Sequence, residues 1–173
     1  METRKSVAEK HFMDWLRDAH AMEKQAETML NAMASRIENY PDLKQRIVQH
    51  IEETRDQMHL IAECIQRRGG DTSVVKDLTG KAVAVAQGFS GMFASDEVVK
   101  GSMFSYAFEH LEIAAYLNLI EGARAVGDVQ TMQVCEGILQ QEKAMAAWLE
   151  QNLTAIAGLY LERAGQPNST AKR

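Results

Sequence analysis

Pro41 and Pro167 are the only prolines in 173 residues, and neither interrupts a helical pattern. Pro41 follows Asn39-Tyr40, where a helix can restart at its first position, and Pro167 lies in the polar run GQPNSTAKR. Between them, apolar residues recur at steps of three and four over long stretches, so long amphipathic helices are the expected structure. A first helix is read over about residues 6–38. A second starts at 41 and runs to about 68, where Arg67 and Arg68 suit the carbonyl end before a stop at Gly69-Gly70. Ser95 as N-cap, with Asp96 and Glu97 in the first turn, opens a third helix over about 95–126 that Gly127 ends. Asp128 caps a fourth over about 128–163.

Residues 69–94 read differently. Gly80, Gly88 and Gly91 surround one short helical stretch near 82–87, too irregular for a bundle helix, and the segment is expected to be a crossover. Two helical hairpins joined by one long connection is the connectivity of ferritin-like bundles. The expected architecture is therefore all-α: a ferritin-like four-helix bundle in one domain over residues 1–165, followed by a polar tail at 166–173. A chain of this length with 46% hydrophobic residues supports one continuous core and leaves little for a second.

Charge narrows the partners. The 19 Lys and Arg are interspersed with 24 Asp and Glu for a net charge of -5, so no basic face for nucleic acid is expected. The N-terminal METRKSVAEKHF has no apolar leader core, and no stretch approaches the ~18 apolar residues of a membrane span. A cytoplasmic protein away from membranes is the expectation. Cys64 and Cys135 sit in apolar helical contexts without Cys-x-x-Cys spacing, which fits buried thiols in a reducing compartment.

The chemistry lies in what interrupts the apolar stripes. The first helix presents Leu16, Ala19, Glu23, Ala26, Leu30, Met33 and Ile37, with Glu23 its one charge. The third presents Phe108, Glu112, Ala115, Leu119, Ala123 and Val126, and the fourth a nine-position stripe from Met132 to Tyr160 broken only by Glu142. The second is less clean. Glu53 lies on the line Arg46, His50, Glu53, Gln57, Leu60 and Cys64, beside a more apolar line through Ile47, Ile51, Thr54, Met58, Ile61 and Ile65.

Spacing ties these together. Glu23 to Glu53 and Glu112 to Glu142 are both steps of 30 residues, so each hairpin sets its two carboxylates at matching distances from its turn. His20 and Glu109 each stand one helical turn before their partners, as His20-x-x-Glu23 and Glu109-x-x-Glu112. Buried carboxylates that converge repel one another and need something positive between them. Oxygen ligands with one or two imidazoles suit iron or manganese, and carboxylates from four helices can bridge two such divalent ions. The candidate metal ligands are therefore Glu23, Glu53, Glu109, Glu112, Glu142 and His20. A single Glu in a stripe has a bland explanation, a misjudged face or an ion pair, and the shared spacing favours ligation over it. His20 has the alternative of a half-buried, hydrogen-bonded histidine, and His50, His59 and His110 rank below it. Gln57 is read either at a coordination position or bonded to Glu53, Glu52 toward solvent, and Tyr106, Tyr116, Trp15 and Trp148 as packing.

The runs HFMDWLRDAHAMEKQAETML, IENYPDLKQRIVQHIEETRDQ, SDEVVKGSMFSYAFEHLEIAAYLNL and LQQEKAMAAWL together resemble the YciE/YciF family of bacterial ferritin-like stress proteins, with the match closest to the YciE branch over about residues 8–163. Position by position, the resemblance implies a homodimeric bundle with a di-metal centre at Glu23, Glu53, Glu109, Glu112 and Glu142 and a link to stress. It does not supply a reaction. The Glu-x-x-His of ferritins, rubrerythrins and manganese catalases would need histidines where Asp56 and Met145 stand, which puts ordinary ferroxidase or catalase activity in doubt.

Two functions follow. One is a dinuclear non-haem iron or manganese protein of the stress response that reacts with a small oxidant, peroxide or dioxygen. The other is a metal-free helical dimer or interaction module whose carboxylates pair with cations such as Lys24, Arg55 and Lys143.

Overall fold

The computed structural model describes residues 4–72 and 96–166. These form four helices: α1 (Arg4–Arg36), α2 (Pro41–Arg67), α3 (Glu97–Val126) and α4 (Val129–Ala164). The expected short helix near 82–87, Ser95 as a cap and residues 167–173 of the tail lie outside the described residues. Among those residues no helix is long and apolar enough to cross a membrane.

The helix ends follow from local chemistry. Pro41 occupies the first turn of α2, where its missing N–H costs nothing, and Asp42 beside it complements the positive helix end. Asp96 stands at the N-cap of α3, with Glu97 in the first turn. Gly127 takes the left-handed conformation (φ 78°) that closes α3, and its N–H reaches Arg124 O at 3.2 Å. Asp128 then caps α4 by accepting the Thr131 N–H at 3.0 Å.

Two ion-pair clusters place these ends. Arg36 at the end of α1 donates to both oxygens of Glu97 at the start of α3. Arg67 and Arg68, at and just past the end of α2, both donate to Asp128 at the start of α4. The chain thus leaves α2 at one end of the bundle and enters α3 at the other. α2 and α3 run parallel on the diagonal, and α4 runs parallel to α1. This is the ferritin-like arrangement, an all-α bundle of two hairpins joined by one lengthwise connection. Packing is closest within the hairpins, intermediate between α1 and α3, and sparse between α2 and α4. Gly122 permits the α1–α3 approach, because a Cβ there would meet the Phe12 ring at 2.7 Å.

The interior has three layers. One apolar cluster around Phe12, Leu16, Ile61, Tyr116, Leu119 and Ile138 fills the end near Gly127. A second around Leu30, Ile37, Leu43, Ile47, Met145 and Leu149 fills the end near the α1–α2 turn. Between them lies a polar layer of Glu23, His50, Thr54, Gln57, Glu109, Glu112 and Glu142, every member of which is buried.

Candidate metal centre

Each helix contributes to the middle layer from its inward face. On α1, Glu23 sits between buried Ala19 and Ala26 and is fully buried. Glu109 and Glu112 project from successive turns of α3, and Glu142 comes from the middle of α4. On α2 the buried line runs Leu43, Ile47, His50, Ile51, Thr54, Gln57, Ile61, Cys64 and Ile65. That stripe is wide enough to take in parts of both lines anticipated from sequence. Glu53 falls at its edge, with a side chain 20% exposed.

One ligand atom each from His50, Glu109, Glu112 and Glu142 lies within 4.8 Å of all the others. His50 is the hub. Its Nε2 is 3.2 Å from Glu109 Oε2 and 3.4 Å from Glu142 Oε2, and its Nδ1 is 2.7 Å from Glu53 Oε2. Glu53 also accepts from Arg46 at 3.2 Å and from Gln49 at 2.9 Å, so it faces donors on the outer side of the imidazole. Glu23 reaches the same layer from α1, where Tyr116 donates its hydroxyl to Oε1. His20, half-buried one turn before Glu23, stands outside the cluster. Of the six ligands anticipated from sequence, the tight cluster thus unites Glu109, Glu112 and Glu142. Glu23 lines the same layer, and Glu53 and His20 flank it.

The electrostatics are those of a site short of positive charge. Burial, then the charges of Glu23 and Glu142, push the Glu112 carboxyl well above its usual range. Burial and Glu142 do the same to Glu23, against the opposing bond from Tyr116. Glu109 is raised by burial, is partly offset by His50, and settles at about 7. Burial disfavours a charged His50, but its contacts with Glu109, Glu142 and Glu53 outweigh that and hold the imidazolium up to about 12. Glu53, despite partial burial, is drawn down to about 2 by His50 and Arg46. Burial, then Glu23, pushes the Tyr116 phenol well up.

The donor set fits a metal. Buried and without a hydrogen-bond donor are Glu23 Oε2, both oxygens of Glu112 and Glu142 Oε1, while Glu109 Oε2 and Glu142 Oε2 have only the shared His50 Nε2, at 3.2 and 3.4 Å. A native interior rarely leaves acceptors in this condition, and an ion is a standard reason when it does. Hard carboxylate oxygens with one imidazole can hold a metal ion, which would displace the protons on the raised carboxyls and the charge on His50.

Two participants were not anticipated in these roles. The sequence ranks His50 below His20, although His50-x-x-Glu53 repeats the pattern His20-x-x-Glu23. Tyr116 was read as packing; only the fold brings its hydroxyl to Glu23. Gln57 bonds not to Glu53 but to Gln141 across the bundle, at 3.0 Å.

Comparison with known proteins places this geometry. A family model described as a domain of unknown function, DUF892, matches residues 7–162. The chain belongs to the DUF892 family. A solved protein from Xanthomonas campestris pv. campestris is 44% identical, covers 92% of this chain and 99% of its own, and superposes with a TM-score of 0.79. YcfI of Rhodopseudomonas palustris is 26% identical over 87% of this chain and 97% of its own (TM-score 0.68). The Escherichia coli stress protein YciF, 23% identical over 89% and 96%, shares the fold with a TM-score of 0.73. In this DUF892 member the fold therefore comes with a buried His and Glu group able to hold metal.

Proposed function

We propose that the chain is a ferritin-like dinuclear non-haem metal protein of the stress response, of the YciE branch, that binds two divalent iron or manganese ions and reacts with peroxide or dioxygen. The observation that carries this reading is the set of buried carboxylate oxygens without donors, gathered around one imidazole. His50, Glu109, Glu112 and Glu142 would hold one ion, and Glu23 Oε2, with free oxygens of Glu112 and Glu142, a second. Glu53 and His20, which flank the cluster, would complete the ligand set. Two such ions would supply two electrons, the number that reduction of one hydrogen peroxide to two waters takes together with two protons. The chain's own part is to exclude bulk water through the two flanking apolar layers and to hold protons on Glu23, Glu109 and Glu112 until metal enters. The stress role is supported by YciF, a stress protein sharing this fold.

The metal-free interaction module draws little support from its cations. Lys24 and Lys143 are exposed, and Arg55 pairs with Glu27 and Glu52 on the surface. A cytoplasmic homodimer fits the outward face of α3, where Met103, Ala107, Leu111, Ala114 and Leu117 are exposed with no acidic, Lys or Arg side chain among them. A two-fold axis would set that stripe against itself. Leu111→Glu should then convert a dimer to a monomer in light scattering.

The deciding experiment is elemental analysis of protein purified without chelator, beside the Glu112→Ala, Glu142→Ala double variant. About two iron or manganese ions per chain, absent from the variant, is the expected result. Trace metal in both, with melting unmoved by chelation, would sink the metal reading, since a ligand bound only by the folded state must stabilise it.

A further inference from the structure

The middle layer also contains two neutral groups that no protein atom satisfies. Thr54 Oγ1 and Gln57 Oε1 are buried without a hydrogen-bond partner, in residues only 1% and 0% exposed. Both stand on the inward face of α2 with His50, Thr54 one turn beyond it and Gln57 two. A helical hydroxyl commonly returns to the carbonyl three or four residues back, as Thr28 does to Lys24 O at 3.0 Å and Ser102 to Val98 O at 2.7 Å. Thr54 makes no such bond. Gln57 commits one end of its amide to Gln141, the neighbour of Glu142, and leaves the other end unpartnered. Gln57 therefore lies toward the α2–α4 side, where the two helices pack sparsely, with Thr54 one turn before it on the same buried face of α2.

Buried polar groups are rarely left without a partner, so the pair calls for a small polar occupant. We infer that Thr54 and Gln57 form a subsite for a small hydroxylic ligand beside the metal centre, water at rest and hydrogen peroxide in turnover. The assignment of peroxide rests on the metal reading above; the assignment of a hydroxylic occupant does not. A hydroxyl that donates and accepts, next to an amide end, is matched by a molecule carrying both O–H donors and lone pairs. Peroxide has both and retains a second O–H to donate toward Glu112 or Glu142. Dioxygen has no donor and leaves the amide oxygen as orphaned as before. The subsite thus favours peroxide over dioxygen as the oxidant.

Two measurements test this. In a high-resolution crystal structure of the metal-free protein, an ordered water should lie about 2.7–3.2 Å from both Thr54 Oγ1 and the Gln57 amide. A dry site, or protein partners for both groups, would overturn the subsite whatever the metal content. In stopped-flow oxidation of iron(II)-loaded protein, Thr54→Val and Gln57→Leu should each lower the ratio of peroxide to dioxygen rates about tenfold, a difference of roughly 1.4 kcal/mol in activation energy, with bound iron unchanged. An unchanged ratio beside a bridging water reduces the pair to a structural water site and overturns the peroxide assignment. Failure to load iron at all counts against the metal centre instead, and the crystallographic arm still decides the hydroxylic occupant.

Discussion

Asp128 and Glu112 are both carboxylates held by this bundle, and the fold treats them in opposite ways. Asp128 accepts from the Thr131 backbone and hydroxyl and from Arg67 and Arg68, so that despite partial burial it is drawn down to about 2. Glu112 sits fully enclosed with no donor on either oxygen and is pushed well up. The chain can plainly surround an acid with donors when the acid's work is structural. Around Glu112 and Glu142 the chain supplies a single imidazole, which leaves a buried group that could hold a metal ion.

The largest test of this contrast is His50, the one positive group among the buried members of the centre. His50→Leu should cost the metal-free protein about 3–5 kcal/mol, because breaking a buried charge network strands its partners. Denaturant unfolding in chelator measures it. A loss under about 1 kcal/mol would mean that the imidazole does not organise Glu53, Glu109 and Glu142.

A smaller pair of effects should differ in sign. Glu112→Gln removes a buried acid that lacks a donor and should stabilise the metal-free fold by about 1–2 kcal/mol while weakening metal binding, the usual trade at a functional site. Asp128→Ala removes a satisfied cap and should destabilise by about 1–2 kcal/mol. Thermal melts of both variants in chelator, against the parent, decide this. If both destabilise, the centre is a structural network like the corner, and the contrast fails.

How much of this was legible in the sequence depends on what each feature rests on. Pro41, Gly127 and Asp128 act on their own turns, so the helix ends they govern follow from a few residues. Glu23, Glu112 and Glu142 stood out because apolar neighbours at three and four residue steps defined a single narrow face. α2 offered no such face: Ile47, His50, Ile51, Thr54 and Gln57 are all buried, and Glu53 at the rim looked as inward as they do. Which histidine turns in is a tertiary matter. His50 meets Glu109, whereas Leu139 holds the α4 position one turn before Glu142 that would mirror His50 before Glu53. The bond from Tyr116 to Glu23 spans two helices and 93 residues, beyond any local pattern.

Acidity should separate the two regions in opposite pH ranges. Glu109, raised to about 7, keeps its proton where an unfolded glutamate near 4.5 has lost it. Its contribution to the metal-free fold is complete below 4.5 and is lost as pH rises toward about 7. His50 adds a decline in the same direction above its ordinary 6.5. Asp128 behaves conversely: its contribution is present above 3.8 and disappears as pH falls through about 2. Melting midpoints in chelator should therefore fall between about pH 5 and about pH 8, and Glu109→Gln should make that fall shallower. Asp128→Asn should flatten the acid limb alone. A rising midpoint across the neutral range would show that the buried carboxyls are ionised and paired.

The smallest expected effect is at the surface and sets the baseline for the others. Arg55 donates to Glu27 at 2.7 Å and to Glu52 at 2.5 Å, good geometry between side chains that water reaches. Exposed pairs of this kind gain little, because solvent screens the charges and ordering two long side chains offsets the attraction. Arg55→Ala should leave both the melting midpoint and the metal content within error of the parent. Arg55 is also one of the cations on which the interaction-module reading relied. A clear loss of stability with Arg55→Ala, larger than that of His50→Leu, would move the important charge network to the α1–α2 surface. The unpaired oxygens of the middle layer would then have to be explained without a metal.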